Sequence, residues 1–238
     1  METIDFSVFL KQTAAAAGID QDTIPNSFFT QMRDFADRRV AQAWDRCEWP
    51  GSIRYNAPSV SSSGNLNKFT YPTGADVILN VYSGDPREST NVTTYGFALD
   101  YDGTNQQVIV PESDTSLVVE YKESPPSFIG DTFKSGNNYS VGDQVYADGN
   151  FYKVTSSLQP AGVFSLMLSQ GHVTIEKKIP KIFQSFLVRA CYADYLKANG
   201  QTQQAAIEEQ QSELILFREI EKVQRVQGQH RRIQMNTY

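Results

Sequence analysis

The spacing of apolar and polar residues changes period twice along the chain. Near the N-terminus the period is helical. Ser7 to Ala17 reads as a short helix that Gly18 ends, and Pro25 stands where a second helix begins, because its fixed φ suits a first turn. Phe28, Met32, Phe35, Ala36, Val40, Ala43, Trp44 and Cys47 then recur at helical spacing, a wide apolar stripe. Asp34 and Arg38 are placed to pair one turn apart on the wet side. Glu48-Trp49-Pro50-Gly51 stops the helix, and both Trp residues are expected to pack against helices from the far end of the chain.

Residues 56–68 are rich in Ser, Asn and Gly and read as a loop or linker. From Phe69 the period falls to two. Val77, Leu79 and Val81 alternate with Asp76, Ile78 and Asn80; Phe97, Leu99 and Tyr101, then Val108 and Val110, then Leu117, Val119 and Tyr121 follow. Turn chemistry at Ser83-Gly84-Asp85-Pro86, Asp102-Gly103 and Pro111 to Asp114 separates these runs, which predicts a small antiparallel β domain. Beyond Pro125-Pro126, Val145/Tyr146 and Phe151/Tyr152 flank Asp148-Gly149-Asn150, a local hairpin signal. A last strand, Val173 to Ile175, leads into Lys177-Lys178.

At Pro180 the helical period returns. Ile182, Phe183, Phe186, Leu187, Ala190 and Ala193/Asp194 form the repeating face of one helix, ended by Asn199-Gly200. A longer one is expected from Thr202 to Gln227, with Ala206, Glu209/Gln210, Leu214, Phe217, Ile220 and Val223 as its stripe. Segregated runs of helices, strands and helices predict an α+β fold: a helical bundle from the N- and C-terminal helices with an inserted antiparallel β domain. On this reading residues 1–55 and 180–228 form the helical part and 69–179 the β domain, with 139–155 a small hairpin module. Residues 229–238 are expected to be a flexible C-terminal tail.

Charge sharpens that picture. The 238 residues carry 27 Asp and Glu against 21 Lys and Arg, a net −6, so there is no basic footprint for wrapping nucleic acid. Residues 69–179 are the most acidic, with 13 Asp and Glu against 6 Lys and Arg. Residues 222–238 hold Lys222, Arg225, Arg231 and Arg232 and no acid. Such a segment is either a solvated tail or an arm that orders on a partner. Direct DNA gripping is disfavoured, because Gln dominates over Arg there.

Signals for catalysis are lacking. Neither His172 nor His230 has a Cys, His or carboxylate at metal-binding spacing, and no nucleophile-elbow, Walker, dinucleotide or zinc-protease motif occurs. Cys47 and Cys191 read as reduced, buried thiols. Asp100/Asp102, Asp85/Glu88 and Glu120/Glu123 read as turn and wet-face carboxylates, since a glycosidase pair needs one carboxyl in an apolar pocket. No enzyme, cofactor or metal site is therefore expected. With no basic N-terminal region and no apolar stretch of about 18 residues, neither a secretion signal nor a membrane span is expected.

Three stretches together resemble the head-to-tail adaptor proteins of tailed bacteriophages. They are Arg38-Arg39-Val40-Ala41-Gln42-Ala43-Trp44-Asp45-Arg46-Cys47-Glu48-Trp49-Pro50, Asp76 through Pro86, and Ser116 through Phe128, a strand running into a Pro-Pro-x-Phe step. The resemblance covers residues 25–130. It implies a virion protein of the neck, assembled in the host cytoplasm. Copies of such proteins form a ring, commonly a dodecamer, that joins the portal to the next neck or tail protein and lets DNA pass without specific binding. Lys222, Arg225, Arg231 and Arg232 would then belong to a portal-binding tail. Tyr139-Ser140-Val141-Gly142-Asp143-Gln144-Val145-Tyr146 with Phe151-Tyr152-Lys153-Val154 departs from that pattern and is similar to the small β module of chitinase-type carbohydrate-binding domains. Tyr139, Tyr146, Phe151 and Tyr152 would stack on sugar if exposed, or pack the hairpin core if not. The alternative function is accordingly a tail-tip or fibre-attachment protein that uses this module.

Overall fold

The computed structural model describes residues 2–63, 66–112 and 116–235, and side chains over 2–62, 66–112 and 116–226. Contacts divide the chain into two units, Met1–Cys47 with Pro126–Tyr238 and, between them, Glu48–Pro125. The first unit opens with strand β1 (Thr3–Ile4), helix α1 (Phe6–Ala16) and helix α2 (Asn26–Asp45). Gly18 takes the left-handed φ of +70° just past the end of α1, a conformation that costs glycine nothing. Pro25 is extended and precedes the first turn of α2 instead of forming it. The expected stripe of α2 is buried from Phe28 to Trp44 except for the half-buried Phe35, and the Trp44 ring meets Phe183 edge-on at 6.1 Å. Cys47 lies past the helix end. Asp34 and Arg38 do not pair: Asp34 accepts from Arg33, and Arg38 reaches Asp194.

The second unit is all strand: β2 (Ile53–Asn56), β3 (Ser61–Ser63), β4 (Leu66–Thr70), β5 (Ala75–Tyr82), β6 (Thr94–Tyr95), β7 (Ala98–Tyr101), β8 (Gln106–Val110) and β9 (Val118–Glu123). They form two antiparallel four-stranded sheets in the orders β2-β9-β5-β6 and β3-β4-β8-β7. Phe69, Val108 and Val110 from one sheet and Ile78, Val81 and Val119 from the other share a single core, so the unit is a sandwich. Part of the predicted loop at 56–68 supplies β3 and the start of β4. Strict alternation fails in β5. Register shifts between Ala75 and Val77 and between Ile78 and Asn80 turn Ile78 and Val81 inward and leave Val77 exposed. An extra residue in one strand reverses the faces that follow it.

The chain then returns to the first unit with β10 (Asp131–Thr132), β11 (Gln144–Ala147), β12 (Asn150–Val154), helix α3 (Phe164–Ser169), β13 (Val173–Ile175), β14 (Ile179–Pro180), helix α4 (Gln184–Ala198) and helix α5 (Thr202–Met235). Strands β10 to β13 form one sheet in chain order, with β10 parallel to β11 and the other pairs antiparallel. β14 pairs with β1, so Pro180 closes a strand before the next helix begins. The β11–β12 turn places Asp148 at φ 47° and Gly149 at φ 82°, the two positive values that a tight two-residue hairpin requires. That turn docks on α1: the Ser7 N–H donates to the Gly149 carbonyl at 3.0 Å, and a Cβ at 149 would stand 2.6 Å from Ser7 Oγ.

The architecture is therefore not a helical bundle with an inserted antiparallel β domain. Among the described residues, fourteen strands in four sheets accompany five α-helices, one sheet contains a parallel pair, and that sheet belongs to the unit that holds the helices. The cause lies in its side chains. Tyr146 and Phe151 point to one face, where Phe6, Phe29 and Phe128 cover them, while Val145, Tyr152 and Val154 point to the other, where Phe164 and Met167 of α3 cover them. A sheet apolar on both faces must be enclosed on both. Here α1 and α3 enclose it.

Helix α4 is the centre of the helical layer, packed by α1, α2 and α5. Phe186, Leu187, Ala190, Cys191, Ala193 and Leu196 are buried around it, as suits a helix covered on all sides. Its Asp194, 7% exposed, accepts from Arg39 Nε at 2.9 Å and Nη2 at 2.7 Å and from Arg38 at 2.9 Å. With 34 residues, α5 is about 51 Å long.

Candidate functional site

Helix α5 has two unlike sides. Its inner stripe is Ala205, Ser212, Leu216 and Val223. Three glutamates flank that stripe and turn inward: Glu208 to Arg189, Glu209 to Lys197 and Arg39, and Glu213 to Arg46. Leu214 and Phe217, expected in the buried stripe, are instead 51% and 58% exposed. Small residues decide the phase. Ala205 and Ser212 let the backbones of α4 and α5 come close, so the bulkier Leu214 and Phe217 go outward. A hydrophobic pattern alone does not distinguish these phases.

Beside the middle of α5 a cleft of about 620 Å³ is bordered by Glu2, Lys181, Ser185, Arg218, Glu219 and Lys222. Lys181 bonds Glu2 at 2.8 Å and Lys222 bonds Glu219 at 2.6 Å. Arg225 lies 3.7 Å from Glu221. These are exposed pairs that water and salt weaken, so Lys222 and Arg225 remain available to another partner. The helix continues beyond Gln227, where its periodicity was expected to stop, and runs to Met235. Arg231 and Arg232 fall on this extension, and their side chains lie outside the described residues.

The four aromatics of the hairpin module do not form an exposed row. Tyr139 stacks on Phe133 at 5.3 Å and its hydroxyl accepts from the Lys134 N–H. Tyr146 and Phe151 sit in the aromatic cluster with Phe6, and burial pushes the Tyr146 hydroxyl up to about 12. Tyr152 meets Phe164 edge-on at 4.9 Å. The Pro-Pro-x-Phe step runs into the same cluster. Asp37 accepts from the Phe128 N–H at 2.6 Å, and Gln144 accepts from the N–H groups of Ile129 and Gly130. Gly130 approaches the Gln144 backbone so closely that a Cβ there would stand 2.6 Å away.

The carboxylates weighed as catalytic pairs serve local structure. The Arg87 side chain beside Asp85 holds that carboxyl down to about 2. Asp102 accepts from the N–H groups of Asn105 and Thr104 and is lowered by them. Glu123 meets Arg54 at 3.1 Å. Glu120 is held without a cation: Tyr55 donates to Oε1 at 2.6 Å, and Tyr82 and Asn80 donate to Oε2 at 2.8 and 2.7 Å. Partial burial first, and this carboxylate second, raise both phenols, Tyr82 to about 12.

Sequence reasoning missed two of these groupings. The Arg39–Asp194 pair had a legible signal, because an arginine inside the stripe between Ala36 and Val40 requires a buried acid. The Tyr55–Glu120–Tyr82 group had none, since it depends on strand order. Among the described residues, no group of three or more His, Cys, Asp and Glu is placed to hold a metal ion. No helix among them is long and apolar enough to cross a membrane. No protein-family model matches the chain, and no curated protein matches it.

Proposed function

We propose that the chain is a structural protein of a tailed-phage neck, an adaptor whose copies form a ring joining the portal to the tail. The observation that carries this reading is α5, a helix of 34 residues. Its inner face holds it to α4, and its C-terminal half presents Lys222 and Arg225 toward solvent. A long cationic helix end suits docking on another protein, and the segment after Glu221 contains no acid to oppose it. The three stretches that resemble the adaptors form the end of α2, strand β5 with its turn, and β9 with the step to Phe128. A net charge of −6 suits a passage through which DNA slides, because like charge limits phosphate contacts.

A nonsense mutant of the gene, grown in a non-suppressing host and viewed by electron microscopy, tests this function. Separate heads and tails, or heads that have lost their DNA, are expected. Complete tailed particles that fail to adsorb would transfer the protein to the tail tip and overturn the adaptor reading. Removing residues 222–238 is expected to weaken portal binding while the fold persists. Unchanged binding would exclude the cationic end as the docking element.

A further inference from the structure

Strand β7 is the last of the sheet β3-β4-β8-β7, so one of its edges has no neighbouring strand among the described residues. Which peptide groups lie on that edge follows from β8. The Gln106 carbonyl accepts from the Tyr71 N–H at 2.9 Å, on the β4 side, so the peptide groups of Gln107 and Ile109 point the other way, to β7. Their partners in β7 are Asp100 and Ala98, which leaves the peptide groups of Leu99 and Tyr101 turned outward. The Tyr101 N–H accordingly donates to the neighbouring Asp100 carboxylate at 2.9 Å instead of to a strand.

The same two residues face the inside of the sandwich. Leu99 stands opposite the fully buried Val108, yet Leu99 is 53% exposed and Tyr101 66%. The cause lies across the gap. In the other sheet β6 pairs only with Val81 and Tyr82, so the first half of β5 forms the edge there, and its Val77 is 49% exposed. Between the two edges runs a groove of about 460 Å³ lined by Tyr71, Asp76, Val77, Ile78, Phe97 and Leu99. On the β5 side the Tyr71 hydroxyl already donates to the Asp76 carbonyl at 2.9 Å, so β7 is the side that can take a strand. Asp76 is the one charged residue bordering the groove, exposed and without an ion-pair partner among the described residues.

We propose that β7 binds an extended segment of a different protein chain as a fifth strand of its sheet. The outward peptide groups specify an extended backbone. The inward Leu99 and Tyr101 specify apolar side chains at alternate positions, and Asp76 specifies a lysine or arginine near one end. β7 has four residues, so it accommodates about 13 Å of added strand. Charge disfavours a second copy as the occupant. Residues 48–125 hold ten Asp and Glu against four Lys and Arg, so joining two β7 edges would bring two acidic surfaces together. The strand site is independent of the portal contact and of the neck function.

Fluorescence polarisation with the full chain tests this, using a labelled peptide of alternating valine and threonine with a lysine at each end. Saturable binding is expected. Methylating the amide nitrogens at the valines or at the threonines should abolish binding in one case and spare it in the other, because one edge of an added strand bonds to β7 and the other faces water. Leu99→Pro, which removes an outward N–H, should weaken binding about ten-fold. Asp76→Lys alters an exposed side chain, so its melting should match the parent. It should weaken binding about three-fold and favour a glutamate-ended peptide instead. No binding by the parent overturns the proposal, as do two methylated peptides that behave alike or an affinity that neither substitution changes. Self-association of the parent that Leu99→Pro abolishes also overturns it, by making a second copy the occupant.

Discussion

Asp194 in the helical unit and Glu120 in the sandwich are both carboxylates whose oxygens are fully engaged, yet they are held by different chemistry. Asp194 lies between α4 and α2 with two guanidinium groups on it, and Arg39, itself 8% exposed, shares its charge with Glu209. Glu120 projects from the central strand β9 of a sheet and is met by two phenols and an amide, all neutral. The helical pair is an ionic lock between elements more than 150 residues apart in sequence. The sheet group is a neutral bracket across three neighbouring strands. Losing one partner in the first strands a buried charge. Losing the carboxylate in the second leaves donors that water can reach.

The largest expected effects test the first half of this contrast. Asp194→Ala should cost about 3–5 kcal/mol in denaturant unfolding of the helical unit, since buried Arg39 would keep only its longer contact with Glu209. A loss below about 1 kcal/mol would mean that Glu209 alone satisfies Arg39. Trp44→Ala should cost a similar 3–5 kcal/mol by emptying the contact with Phe183, and an unaltered melting curve would show that this ring is not part of the core. Glu120→Ala should cost less, about 1–3 kcal/mol, because it strands hydroxyls and an amide in place of an ion. Equal losses for Asp194 and Glu120 would erase the distinction.

Titration separates the two regions by direction. Burial tends to raise the Asp194 carboxyl, but the hydrogen bonds and charges of Arg39 and Arg38 outweigh it and hold the group below its usual 3.8. A carboxyl lowered in the folded state contributes stability that is present above the unfolded value and lost as pH falls through the folded one. The helical unit should therefore lose this contribution below about pH 3.8. Tyr82 shows the reverse, raised from 10 to about 12. Its contribution is complete below pH 10 and disappears as pH rises toward 12. Phenolate absorbance and circular dichroism, followed through both ranges, should report an alkaline transition that Tyr82→Phe moves and Asp194→Asn does not. The smallest effect is expected at Arg87, whose guanidinium stacks over Tyr55 at 4.7 Å on the open surface. Arg87→Ala should leave the melting temperature unchanged, and a measurable drop would show that the bracket around Glu120 extends to this cation.

Much of the local structure was legible in the residues. The α2 stripe, the Asp148-Gly149 turn and the helix restart after Pro180 each follow from short-range rules of periodicity and backbone conformation. The misreadings share one cause. Leu214 and Phe217 have the spacing of a core stripe but lie outside, because the close approach of α4 at Ala205 and Ser212 selects another phase. Tyr146, Phe151 and Tyr152 could be a stacking surface or a core, and the choice falls to α1 and α3, which cover the two faces of their sheet.

By itself the sequence determined the placement of most helices and strands, the acidity of the middle of the chain, and its cationic end. These depend on neighbours a few residues away. Only the tertiary structure decided that residues 126–180 join the helices, that the sandwich is confined to Glu48–Pro125, and that α5 keeps an apolar side uncovered. Those outcomes depend on which surfaces meet across long stretches of chain. An apolar side chain is equally well buried by any partner of the right shape, so its pattern requires a partner without naming one.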